Sequence, residues 1–187
     1  MTTVATRSLE DQRADYKKRR FLAMPVAGTI AWAIVGAVAP QLAPQHAVWL
    51  LFICTGSIFY LGVLISKFTG EDLLGKNRPK NTFDSLFLQT VVTALLVFAI
   101  AIPFVQQDYT SLPLTVGILT GLMWVPLSWA IEHWVGLFHG ISRTGLVLGA
   151  WYLFPNDRFL AVPVAVVAIY LVTIVILEKR WRAVSAG

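Results

Sequence analysis

The sequence predicts an all-α protein, a polytopic transmembrane helical bundle of six spans with both termini in the cytoplasm. Three observations lead there. Six stretches of mostly apolar residues, each about the 20 residues needed to cross a hydrocarbon layer roughly 30 Å thick, fill the chain from Phe21 to Leu177. The 187 residues are 57% hydrophobic and 13% charged, with a mean hydropathy of +0.69, whereas a soluble domain carries about 25% charged residues. Finally, 13 of the 15 Lys and Arg gather in three places: Arg7 to Arg20, Lys67 to Lys80, and Lys179 to Arg182. An even number of spans puts all three on one side, which the positive-inside bias makes cytoplasmic.

Residues 1–20 form a basic cytoplasmic tail. Ser8 followed by Asp11 reads as a helix N-cap with an acid three residues later, and Asp15 is spaced to pair with Arg19 at i, i+4. The transmembrane domain, residues 21–177, has predicted spans at 21–38, 47–65, 86–104, 112–131, 134–154 and 159–177, and residues 178–187 form a second basic tail. Five spans result instead if the fifth stretch lies in the interface. The first stretch ends in Ala37-Val38-Ala39, like a signal-peptide cleavage site, but its approach carries Glu10, Asp11 and Asp15, its apolar run is long, and Pro40 follows; it is expected to be retained. The segment from Ser66 to Ser85 is the one long connection, broken by Gly70, Gly75 and Pro79.

Glycines four residues apart, at Gly117/Gly121, Gly136/Gly140 and Gly145/Gly149, are expected to pack helices closely in lipid. They act either within one subunit or between copies in a homo-oligomer.

The chemical exception is Glu132 to Arg143. On one continuous helix Glu132, Gly136, His139 and Arg143 are spaced four, three and four apart and share a face. An arginine at the centre of a span costs about 2.5–3.5 kcal/mol on insertion scales, so it calls for an acid, a water-filled cavity or an interfacial position. The segment is thus either an intramembrane polar stripe or a cytoplasmic turn. Gln89 and Tyr60 fall at comparable depths and are candidates to complete a ligand-binding or proton-relay group with Glu132, His139 and Arg143.

Other chemistries find no support. His133 and His139 are six apart, which is not helical zinc spacing, so no metal or other cofactor is expected. Cys54 stands alone, so no intramolecular disulfide can form. No activated nucleophile or phosphate-binding loop is present, which argues against an enzyme. The basic residues flank spans rather than forming a nucleic-acid face, so the expected partners are the lipid bilayer and a small polar or anionic solute.

At Phe21-Leu22-Ala23-Met24-Pro25, Ser111 to Gly117, Gly121-Leu122-Met123-Trp124, His139-Gly140 with Arg143-Thr144, and Trp151 to Pro155, the chain resembles a family of small six-helix bacterial integral membrane proteins known only as a domain of unknown function. The resemblance implies a bacterial cytoplasmic (inner) membrane location. It implies no activity, substrate or catalytic residue. The functional expectation is therefore a solute-binding or transporting membrane protein with a cytoplasm-facing polar pocket; the alternative is a non-catalytic structural protein that oligomerises through glycine-lined helices.

Overall fold

The computed structural model describes residues 7–75, 78–96 and 98–186, and all regular structure among them is helical. Residues 1–6 and 187 of the two tails, Lys76 and Asn77 of the long connection, and Val97 of the third predicted span lie outside the described residues. The helices are α1 (Leu9–Lys17), α2 (Ala23–Val38), α3 (Pro44–Gly56), α4 (Ile58–Thr69), α5 (Thr82–Leu96), α6 (Phe98–Gln107), α7 (Ser111–Leu122), α8 (Val125–Ile131), α9 (Val135–Leu153) and α10 (Arg158–Ala186).

Helix therefore lies over each of the six apolar stretches. Four helical runs are long and apolar enough to cross a membrane: Ala23–Gln41, Thr82–Gln107, Ser111–Ile131 and Arg158–Ala186. α3 and α4, bent by 42° at Ser57, make a fifth if the pair is one span. α9 has the length, at 19 residues, but falls short in apolarity because His139 and Arg143 occupy its middle. At a rise of about 1.5 Å per residue, the 29 residues of α10 run to about 43 Å, well beyond a 30 Å hydrocarbon layer. Its charged residues Glu178 and Arg182 lie in the last turns, beyond its apolar stretch.

α10 lies along α2 and α9, and α7 packs against both α9 and α10. Their shared core is built from Trp32, Leu51, Leu112, Val147, Val166 and Tyr170. Close approach here depends on missing side chains: a Cβ at Gly28 would meet the Tyr170 ring, and one at Gly36 would meet Pro163. A second core at the basic end joins Tyr16, Leu22, Phe83, Ile131, Val135 and Leu177.

That second core exists because α1 folds across the end of the bundle. Ser8 caps α1 by accepting from the Asp11 amide at 3.1 Å, as the sequence predicts. The predicted Asp15–Arg19 pair does not form. α1 ends at Lys17, so Arg19 leaves the helix face and reaches Asp84, while Asp15 pairs with Arg7. Burial in this core pushes the Tyr16 hydroxyl up to about 12. The long connection proves structural at its start: α2 has no cap of its own, and Glu71 accepts from the Leu22 and Ala23 amides at 3.0 and 2.8 Å.

Candidate functional site

α8 and α9 are separate helices, and their joint decides where the polar residues go. α8 ends at Glu132, which takes a left-handed conformation (φ 49°). His133 then turns back, its Nδ1 accepting from the Val135 amide at 3.2 Å, while Ser128 Oγ accepts from the Leu137 amide at 2.6 Å. The amides opening α9 are thereby satisfied by two side chains.

The predicted face of Glu132, Gly136, His139 and Arg143 is consequently divided. Gly136, His139, Gly140 and Arg143 share the buried side of α9. Glu132 lies before the helix starts and is exposed, held by Arg13 Nη1 at 3.2 Å and by Lys17 Nζ. Hydrogen bonding to Lys17 and the surrounding positive charge hold its carboxyl below the ordinary 4.5. Tyr60 and Gln89 are not brought to the site. Both point out of the bundle, Tyr60 with 75% of its surface accessible.

Arg143 and His139 are fully buried, at 0% exposure. Arg143 Nε donates to the Gly117 carbonyl at 2.6 Å and Nη2 to Thr120 Oγ1 at 2.6 Å, both on α7. Thr120 gives its own hydrogen to the Val116 carbonyl, so it can only accept from the arginine. The same reasoning assigns the histidine tautomer. Thr173 Oγ1 donates to the Ile169 carbonyl at 2.7 Å, hence His139 Nδ1 donates to Thr173 at 2.8 Å. His139 Nε2 is left as an acceptor, 3.4 Å from Arg143 Nη1.

Aromatic faces enclose this chain of bonds. The guanidinium carbon lies 5.0 Å from the Tyr170 ring centre and 5.6 Å from that of Trp32, and Trp124 stacks on His139 at 4.4 Å. The cation–π attraction offsets part of the desolvation cost of the charge. Among the described residues no carboxylate pairs with Arg143, and the buried Trp32 indole N–H has no acceptor. Sequence reasoning missed Thr120, Thr173, Trp32 and Tyr170, which come from three other helices and share no spacing with Arg143.

The glycines divide too. A Cβ at Gly121 would sit 2.8 Å from Arg143 Cδ, one at Gly140 would press on Val125, and one at Gly136 would fall on the Trp124 carbonyl. A Cβ at Gly117 would meet Val147 and Val162 at 3.2 and 3.4 Å. A Cβ at Gly145 or Gly149 would meet nothing within 4 Å, so their predicted packing role has no counterpart among the described residues.

Ten α-helices among the described residues, which combine into four or five membrane-crossing candidates, around the fully buried Arg143 define a helical membrane protein with a polar centre. Within that class the chain belongs to the family of unknown function DUF7010, which it matches over residues 9–180. No curated protein and no solved structure matches it.

Proposed function

We propose that this protein binds a small anionic solute at Arg143 and His139, as a multi-pass protein of the bacterial inner membrane with six crossings and cytoplasmic termini. α9 is the fifth crossing in this reading, a marginal span carried by its packing against α7 and α10. One observation carries the solute reading: the buried guanidinium has no acid among the described residues, although Asp84, Asp108, Glu132 and Glu178 all pair with other bases. A buried charge requires a partner. Intramembrane arginines of this kind mark ion or substrate sites by default. The unpartnered Trp32 N–H beside the same guanidinium adds a second donor for an anion.

His139 serves in this reading as a neutral orienting group, because its Nδ1 proton is committed to Thr173. Access from the cytoplasmic side requires α1 to move, since Tyr16, Leu22 and Phe83 fill that end and leave a void of about 10 Å³ nearby.

The test is the melting temperature of the detergent-purified protein against a series of small anions, with Arg143→Gln alongside. A ligand at 100 times its Kd stabilises by about 2.7 kcal/mol. The expected outcome is a concentration-dependent rise that is absent in the variant. Equal behaviour of the two proteins across the series removes the arginine's role.

The structural alternative draws support from Arg143 itself, which ties α9 to α7 through two hydrogen bonds. In it Gly145 and Gly149, open on the surface of α9, form the contact between copies. Dissociation of a purified oligomer by Gly149→Leu would support this reading; a monomer unaffected by the change would remove it.

A further inference from the structure

At the end of the bundle away from the basic tails lies a cavity of about 160 Å³. Three connections frame it: the segment after α2, the turn before α7 and the turn before α10. Its walls include Pro40, Ala47, Thr110, Arg158 and Phe159, with the carboxylate of Asp157 at the edge. Because proline fixes φ, this rim is stiff and its shape preformed.

Arg158 is pinned on two edges of its guanidinium plane. Nε donates to the Trp151 carbonyl at 3.2 Å, and Nη1 donates to Asp108 Oδ2 at 3.2 Å and to Thr110 Oγ1 at 2.6 Å. The group also lies over Trp151, its central carbon 3.8 Å from the ring centre. Asp108 is itself held, with its carboxyl below the ordinary 3.8 chiefly through the Thr110 hydroxyl. Among the described residues Nη2 donates to nothing. A planar donor group fixed on two sides therefore offers its third side, with less entropy to lose on binding.

The rest of the wall sets the size and character of what fits. Phe159, Ala47 and the prolines supply an apolar side next to a polar one formed by Thr110, Asn156, Asp157 and Arg158, and the pocket equals about five water volumes at roughly 30 Å³ each. We propose that this cavity binds a short-chain carboxylate of about two to four carbons, its carboxylate accepting from Arg158 Nη2 and its carbons lying on Phe159 and Ala47. The site is separate from Arg143. Trp151, on which Arg158 rests, is eight residues further along α9, about 12 Å at 1.5 Å per residue, so the assignment holds whether or not Arg143 binds an anion.

The experiment uses the full chain with Cys54→Ser and a single new thiol at the cavity wall, Leu160→Cys. The rate of modification by an uncharged methanethiosulfonate is measured with sodium butyrate and with sodium chloride at matched concentration. Butyrate is expected to slow labelling several-fold while chloride does not. Adding Arg158→Gln should remove the protection. Leu42→Trp, which fills the cavity without touching the bonds of Arg158, should remove it as well and decides the matter if the first variant does not fold. Arg143→Gln should leave protection intact. Labelling at the same rate with and without butyrate overturns the proposal. So does equal slowing by chloride, or protection that survives filling of the cavity.

Discussion

The two halves of α9 carry the same glycine spacing and do opposite things. In the first half Gly136 and Gly140 are crowded against α8, and His139 and Arg143 are buried on the same side of the helix. In the second half Gly145 and Gly149 meet nothing, and Tyr152 and Leu153 face outward. Close backbone approach is what a glycine pair permits, and a neighbouring helix must be there to use it. α8 crosses beside the first half because the chain turns sharply at Glu132; beyond Arg143 the neighbours of α9 are α7 and α10, which meet other faces, as the burial of Val147 shows. A four-residue glycine repeat thus signals packing only when the partner's position is known.

The largest expected effect of breaking this contrast is at Gly136. Gly136→Ala places a methyl group on the backbone carbonyl of Trp124, which cannot rotate away. A loss of about 3 kcal/mol or more is expected, at the upper end for overpacking. Thermal unfolding in detergent should show it as a large fall in melting temperature. An unchanged melting point would mean that α8 does not lie where it is described.

Next comes Arg143→Gln in the absence of added anion. The shorter amide loses bonds to Gly117, Thr120 and His139 but also relieves a buried charge, so a net loss of about 1–3 kcal/mol is expected. The same melting assay reads it. A loss exceeding that of Gly136→Ala would make the arginine the chief structural tie of the half-helix.

Gly145→Ala should move stability in the opposite direction. With open space around it, the substitution gains helix propensity worth up to about 1 kcal/mol and meets no clash. A clear destabilisation, or a change in elution volume on size-exclusion chromatography, would show that a second copy occupies that face.

The smallest effect sits at the entrance to α9. Glu132→Gln removes pairs with Arg13 and Lys17 that face water, so its effect at neutral pH should be slight and should shrink further in high salt. Because the folded-state pKa of Glu132 lies below its ordinary value, its contribution is present above about pH 4.5 and is lost as the pH falls through the folded value. Melting profiles from pH 7 downward should therefore converge for wild type and variant on the acid side. Curves that diverge there would contradict the pairing.

The helical nature of the apolar stretches was legible, and so was the chemical singularity of His139 and Arg143; the ends and breaks of the helices were not, since α10 runs on to Ala186 and α3 and α4 part at Ser57. The environment of those two was not. The even spacing from Glu132 to Arg143 describes one face only if the helix is continuous, and the left-handed turn at Glu132 removes the acid from it. Tyr60 and Gln89 match the site in depth, but depth along a helix says nothing about rotation around it, and both face outward.

The sequence by itself determined that this is an all-helical chain able to cross a bilayer, with basic residues flanking its spans. Hydropathy and charge add up locally along the chain and need no knowledge of neighbours. Only the tertiary structure decided that α1 closes the basic end, that Glu71 caps a helix some fifty residues earlier, and that Arg143 rests on Gly117, Thr120 and aromatic rings rather than on Glu132. Those outcomes depend on how each helix is rotated against the next. Packing sets that rotation, and packing joins residues that no local pattern connects.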